Sequence, residues 1–351
     1  MSVSIWMSFE FSDSIECIEG HNAGMPVKVV FLPFVQGSTM QEKKNYCENN
    51  LDHIRKLLTY EPRSGSNSYG VLVTKPADSM AHFGALYFDP SGWHDMCGHA
   101  TMFLASLAVQ RKLINAPSGA ISAISIDTPA GSVSVNVNVG PEGRVEKVSL
   151  VNVPSFLHSE HEVETEGYGP VKISISFGGD FYGIVDLQDL GLSYSKEILP
   201  ELSNLTKEIL GKLKGEEIAH PILNGVSGLY GIRYQYRTGN ERDPMYGVLF
   251  FGTEKRVSLD RSPSGTSSSA HLAYLYYKEK SIELNQEVTF LSSISTRFKA
   301  KILSELEVGN RNAMVPEISS VDKACFITGF STYVIDADDP IGSGYKPLEP
   351  F

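Results

Sequence analysis

Two stretches decide how this chain is read: CGHATMFLASLAV, from Cys97 to Val109, and SGTSSSAHLAYLY, from Ser264 to Tyr276. Each opens on a small residue with a nucleophile-type side chain followed by glycine, passes through small polar residues and enters an apolar pattern of helical type. A loop that runs into a helix presents unpaired backbone N–H groups and the positive end of the helix dipole, so it stabilises an anion held there. Two such junctions suggest a duplicated unit, with Cys97 and Ser264 at equivalent points. Gly98 and Gly265 remove side chains where backbone must come close, and the N–H groups of Gly98, His99, Gly265 and Thr266 are expected to cradle a ligand carboxylate. The same field is expected to lower the pKa of Cys97 and give it the thiolate character of a base.

Asp260 stands four residues before Ser264, where it can pair with a substrate ammonium; the alternative is a turn residue paired with its neighbour Arg261. Arg261 itself is taken as structural, since helix termini already serve the carboxylate. The backbone of His99 is the expected contributor, while its ring either orients a substrate hydroxyl or satisfies a local hydrogen bond.

Around these junctions the pattern is mixed α and β, with much strand. KVVFLPF precedes Ser38 and Gln41, spaced as a capping box, and Cys47, Leu51, Ile54 and Leu58 form one apolar helical stripe. SVSVNVNV at 132–139 alternates strictly, as a half-buried strand does. A second helix is expected from Pro200, with Leu202, Leu205, Ile209 and Leu213 on its buried face. Between the halves lies HSEHEVETEGYGP (158–170), acidic and closed by Gly and Pro, which suits either an inter-half connection or a long hairpin.

Composition excludes several classes. The chain has 351 residues and a net charge of -11, without the clustered Lys and Arg that nucleic acid requires. No apolar run approaches the roughly 18 residues that span a bilayer. The amino terminus carries Glu10 and no positive region, so it does not resemble a secretion signal, and a cytoplasmic location is expected. The four cysteines are too scattered for a zinc ribbon or a CxxC redox pair, and Cys17, Cys47 and Cys325 suit buried reduced thiols. The histidines lack metal-ligand spacing, FGGDFYG and GSGY lack the context of a nucleotide loop, and no lysine is marked for pyridoxal phosphate. Chemistry without metal or cofactor is the simplest expectation.

At these residues the sequence resembles the proline racemase family, which includes 4-hydroxyproline epimerases and trans-3-hydroxy-L-proline dehydratases. Besides MCGH and DRSPSGT, the resemblance rests on HNAGMP, LDHIRKLLTYEPR, DTPAG, NVPSF, GGDFYGIVD, the His220–Pro221 pair, TRF and ITGFSTYVIDADDP, in that family's order along nearly the whole chain. It implies an α+β fold like that of diaminopimelate epimerase: two pseudo-symmetric halves, each a mixed β-barrel-like sheet around a central helix, with the active site between them. The first half is then expected to span 1–158 plus about 338–351 and to carry Cys97, and the second to span 159–337 and to carry Asp260 and Ser264. A homodimer is compatible with the resemblance, and the expected partner is a proline-like small molecule.

The family's racemases and epimerases place two cysteines on opposite faces of the substrate Cα. Cys97 matches the first, and Ser264 stands at the second. An alcohol is far too weak an acid or base near neutral pH to exchange a Cα proton unaided, so two-base racemisation is expected to be impaired. The related dehydratases keep the first cysteine and carry a hydroxyl residue at the second position, and the resemblance therefore points to dehydration of trans-3-hydroxy-L-proline. In that substrate the 3-hydroxyl and the Cα hydrogen share one ring face, so one cysteine suffices for syn elimination. A racemase or epimerase with an altered second base, or a non-catalytic binder of proline-like amino acids, are the alternatives. Met25, where the family usually has Glu, and Ser267, where glycine is common, are departures that bear on the substrate more than on the fold.

Overall fold

The computed structural model describes residues 13–346 except 66, 240–243, 322, 324 and 337. The expected domain ends at 1–12 and 347–351 lie outside the described residues. The first run of elements is β1 (Asp13–Asn22), β2 (Met25–Phe31), α1 (Met40–Asn50), α2 (Asp52–Thr59), β3 (Gly70–Thr74), β4 (Phe83–Phe88), β5 (Trp93–His94), α3 (Gly98–Gln110), β6 (Ile121–Thr128), β7 (Gly131–Val139) and β8 (Val145–Val151). The second is β9 (Phe156–Thr165), β10 (Gly169–Phe177), β11 (Phe181–Asp186), α4 (Leu199–Lys212), β12 (Leu229–Arg237), β13 (Met245–Thr253), β14 (Arg256–Leu259), α5 (Gly265–Ala273), β15 (Val288–Leu291), β16 (Arg297–Val308) and β17 (Arg311–Ser320), and β18 (Cys325–Ile335) closes the chain.

Strand pairing makes the duplication explicit. Beginning at β18, neighbours pair antiparallel with β1, antiparallel with β2, parallel with β3 and antiparallel with β4; β4 then holds β5 antiparallel and β6 parallel, and β7 and β8 follow antiparallel. Beginning at β9, the strands β10 to β17 repeat that order and those directions without exception. The helices obey the same correspondence: α1–α2 and α4 bridge the first parallel crossover of each unit, and α3 and α5 the second. The units join where the equivalent strands β8 and β17 pair, with Leu150 opposite Ile318.

These pairings move the crossings away from the expected boundaries. HSEHEVETEGYGP lies in the β9–β10 hairpin, whose alternating residues pair from Thr165 opposite Gly169 back to Phe156 opposite Phe177. The chain passes between units at 152–155 instead, and the strand returning to β1 is Cys325–Ile335, ahead of residue 338. The physical reason is that strand alternation runs through the acidic stretch, which gives it a wet face without breaking its pairing.

Each sheet wraps its central helix: α3 packs on β1, β2, β7, β8 and β18, and α5 on the equivalent β10, β11, β16, β17 and β9. Residues Gly98 to Val109 are all buried, as a helix apolar on every side requires. Full burial of Met102, Phe103, Leu104 and Leu107 contributes about 1.5–3 kcal/mol per side chain. Helix α5 is also buried throughout but polar, and its hydroxyls are satisfied locally, Ser268 on the Pro263 carbonyl and Ser269 on that of Gly265.

Local signals shift by small steps. The capping box is Thr39 with Glu42 instead of Ser38 with Gln41, because Thr39 holds the extended N-cap backbone and a carboxylate outcompetes an amide as acceptor. The expected single stripe from Cys47 to Leu58 is split at Leu51 between α1 and α2, yet Cys47, Ile54 and Leu58 stay buried. Helix α4 starts at Leu199, with Pro200 in its first turn and Leu202, Leu205 and Ile209 buried. Among the described residues no helix is long and apolar enough to cross a membrane.

Candidate active site

Cys97 is the N-cap of α3 and Ser264 the N-cap of α5, the corresponding points of the two units. Their backbones differ. Cys97 is extended (φ -143°, ψ 109°), whereas Ser264 holds φ 62°, ψ 129°, a strained conformation for a residue with a Cβ. Both line a narrow cleft with room for little more than a water molecule, together with His99, Asp260 and Thr266. Five of the seven expected site residues therefore meet there. Gly98 and Gly265 lie against each other behind it, where the two helix starts make their closest approach.

The Cys97 thiol faces the Nδ1 atom of His99 at 3.1 Å and receives hydrogen bonds from the Ala100 N–H and the Tyr69 hydroxyl. The expectation of a lowered thiol pKa does not hold in this closed cleft. Burial pushes the thiol well above its ordinary value, and the nearby carboxylates of Asp260 and Asp180 push it further. The Ala100 N–H, the helix-start contribution anticipated from sequence, opposes this but is outweighed because desolvation of a thiolate costs more than one backbone hydrogen bond returns. Burial also depresses the His99 imidazole to about 3, against a hydrogen bond to the Pro26 carbonyl, so the ring is neutral. With the Pro26 carbonyl accepting from one ring nitrogen, the other is an acceptor. The His99 carbonyl accepts from Asn22 Nδ2 at 3.1 Å.

On the other side, the Ser264 hydroxyl accepts from the Ser267 N–H at 3.3 Å, and the Ser264 N–H donates to Ser262 Oγ at 3.1 Å. Ser262 in turn gives its N–H and hydroxyl to Asp260 Oδ1, at 2.8 and 2.9 Å. Burial raises the Asp260 carboxyl from 3.8 to about 6, while Ser262 and the charges of Arg233 and Arg261 pull it down. Arg261 donates to the Leu259 carbonyl at 2.8 Å, a structural bond as expected from sequence. Beneath α5, the fully buried Arg233 donates to Ser267 Oγ at 2.7 Å and to the Pro263 carbonyl at 2.9 Å, so Ser267 is occupied in anchoring a buried cation.

Sequence reasoning missed the aromatic wall: Tyr69, Tyr182, Tyr230 and Phe251. The Tyr182 hydroxyl shares a hydrogen bond with Thr266 Oγ1 at 2.7 Å, and the Tyr230 hydroxyl points to Asp89 Oδ2 at 3.4 Å. Asp180 was missed too. It stands in FGGDFYG, its carboxyl is held by the N–H groups of Asp95 and Met96 just before Cys97, and burial pushes it well above the usual carboxylate range. The signal available was that motif itself, whose glycines serve close packing of the loop against α5.

Comparisons with known proteins bear on the family and the fold. The proline racemase family model matches residues 17–346. The chain is 33% identical to a proline racemase of Clostridioides difficile, over 96% of this chain and 99% of that protein. It is 31% identical to a trans-3-hydroxy-L-proline dehydratase of Bacillus thuringiensis subsp. konkukian, over 93% and 96%. In structure it is similar to a hydroxyproline epimerase from Agrobacterium vitis, with a TM-score of 0.88 at 23% identity, covering 96% of each chain. With an α+β fold repeated about two helix starts and a family match across nearly all of its length, the chain belongs to the proline racemase family.

Proposed function

We propose that the chain dehydrates trans-3-hydroxy-L-proline to Δ1-pyrroline-2-carboxylate without a cofactor, with Cys97 removing the Cα proton. The observation that carries this is the pairing of one thiol, Cys97, with one alcohol, Ser264, at equivalent helix starts around one cleft. The substrate carboxylate would lie at the N-terminal ends of α3 and α5, where Gly98, His99, Gly265 and Thr266 offer backbone N–H groups. Its ammonium would pair with Asp260. That contact also cancels the carboxylate charge that favours the protonated thiol, so substrate binding itself lowers the barrier to forming the thiolate. The proton and the 3-hydroxyl then leave from the same ring face, and the resulting enamine tautomerises to the imine.

A second reading, proline or hydroxyproline epimerisation, is favoured by the identity to the Clostridioides difficile racemase. It requires a base on the Ser264 face that is stronger than an alcohol. We further take the two halves as diaminopimelate-epimerase-like, with the first carrying Cys97 and the second Asp260 and Ser264, and the protein as cytoplasmic and acting on a small molecule. Proline and the 3- and 4-hydroxyproline isomers followed by NMR in D2O test both readings: release of Δ1-pyrroline-2-carboxylate from the trans-3-hydroxy isomer supports dehydration, and Cα deuteration with inversion and no elimination overturns it.

A further inference from the structure

Elimination of a hydroxyl needs an acid as well as a base, and the cleft presents, besides the thiol that Cys97 becomes, one further candidate on the Cys97 side. Tyr69 directly precedes β3, is only 2% exposed and lines the cleft, with its hydroxyl hydrogen-bonded to the Cys97 sulfur. Its ring is fixed edge-on against His99 at 4.8 Å and Phe251 at 6.3 Å, and stacked on His94 at 6.0 Å. A side chain clamped on three sides holds its hydroxyl at one place.

The competing groups are committed elsewhere. Tyr182 is bonded to Thr266 and Tyr230 is directed at Asp89. Ser264 belongs to the opposite helix start, with its oxygen capping the Ser267 N–H. His99 is neutral and its ring bonds the Pro26 carbonyl.

We propose that Tyr69 is the acid that protonates the departing hydroxyl, forming with Cys97 a dyad that resets itself at each turnover. This rests on the dehydratase reading. The Cys97 thiolate takes the Cα proton, the C3–O bond breaks as the Cα electron pair forms the C2–C3 double bond, and the Tyr69 proton goes to the leaving oxygen to give water. The new Cys97 thiol then returns its proton to the Tyr69 oxygen along the hydrogen bond they share, restoring thiolate and phenol with no proton gained or lost. The first transfer runs downhill, because a phenol is a much stronger acid than water; burial raises both Cys97 and Tyr69, and the return transfer follows the hydrogen bond they share. Burial favours the neutral phenol, so Tyr69 keeps its proton until the leaving oxygen needs it.

The test compares leaving groups that do and do not need an acid, using the wild-type chain and Tyr69→Phe with trans-3-hydroxy-L-proline and trans-3-fluoro-L-proline. Fluoride departs without a proton. Tyr69→Phe also removes the hydrogen bond that steadies the Cys97 thiolate, so both eliminations slow, but hydroxyl elimination is expected to lose about 10²–10⁴-fold more than fluoride elimination. Equal losses with both substrates, or hydroxyl elimination within about threefold of wild type, would overturn the acid role. A wild-type chain that eliminates fluoride but never hydroxide also overturns it, whereas failure of the wild type to eliminate either group overturns the dehydratase reading itself.

Discussion

A Cβ built on Gly98 would sit 2.5 Å from the Cα of Gly265, and one built on Gly265 would sit 2.7 Å from the Cα of Gly98. The two units thus touch backbone to backbone at their helix starts, which brings Cys97 and Ser264 to the same cleft. The contact partners are main chain, which cannot rotate away. Gly98→Ala and Gly265→Ala are each expected to cost about 2–3 kcal/mol and to lower the urea midpoint; unchanged midpoints would show that the helix starts can separate without penalty.

Ser264 sits at φ 62°, where a β-branched side chain is strained. Ser264→Thr is therefore expected to keep elimination within about tenfold but to lower stability by about 1–2 kcal/mol, seen as a reduced melting temperature. A neutral effect on stability would mean that the turn relaxes.

Ser264→Cys places a second thiol at the equivalent junction and is expected to add Cα deuteration with inversion when proline is incubated in D2O. Cys97→Ser should reduce every activity by at least about 10³-fold, because an alcohol is a poor base at this pH. Inversion by the wild type equal to that of Ser264→Cys would sink the account of Ser264 as the missing base.

Asp260 titrates near 6 in the folded chain against 3.8 ordinarily. Below about pH 6 it is protonated and cannot pair with an ammonium, so kcat/KM should fall on the acid side with a midpoint near 6, mostly through KM. Asp260→Asn should raise KM by about 100-fold and remove that limb. The stability sign is opposite to that of a salt-bridged carboxylate. Between about 3.8 and 6 the folded state binds more protons than the unfolded state, so the Asp260 contribution is fully present below 3.8 and is lost as pH rises through 6. Urea titrations of wild type and Asp260→Asn across that window measure it.

Burial favours the protonated Cys97 thiol, so its alkylation by iodoacetamide should rise with pH with a midpoint above that of an ordinary thiol. A midpoint near neutrality without ligand would show that the helix start outweighs desolvation after all.

Much was legible along the chain because it is local. The apolar run after Cys97 dictates a buried helix, SVSVNVNV dictates a half-exposed strand, and Gly after Cys97 and after Ser264 marks a helix start with room around it. The likeness of those two stretches was enough to suggest a duplication and to single out four residues that share the cleft, Cys97, His99, Ser264 and Thr266, with Asp260 added by its place before Ser264. What tertiary structure alone decided depends on groups far apart in sequence. Tyr69 meets Cys97 across 28 positions, so no periodicity could announce it. The exchange of β18 into the first unit is settled by which edge strand is free to pair, not by the composition of β18. The protonation of Cys97 is set by how much water the closed cleft excludes, and this reversed the expectation drawn from the helix dipole alone.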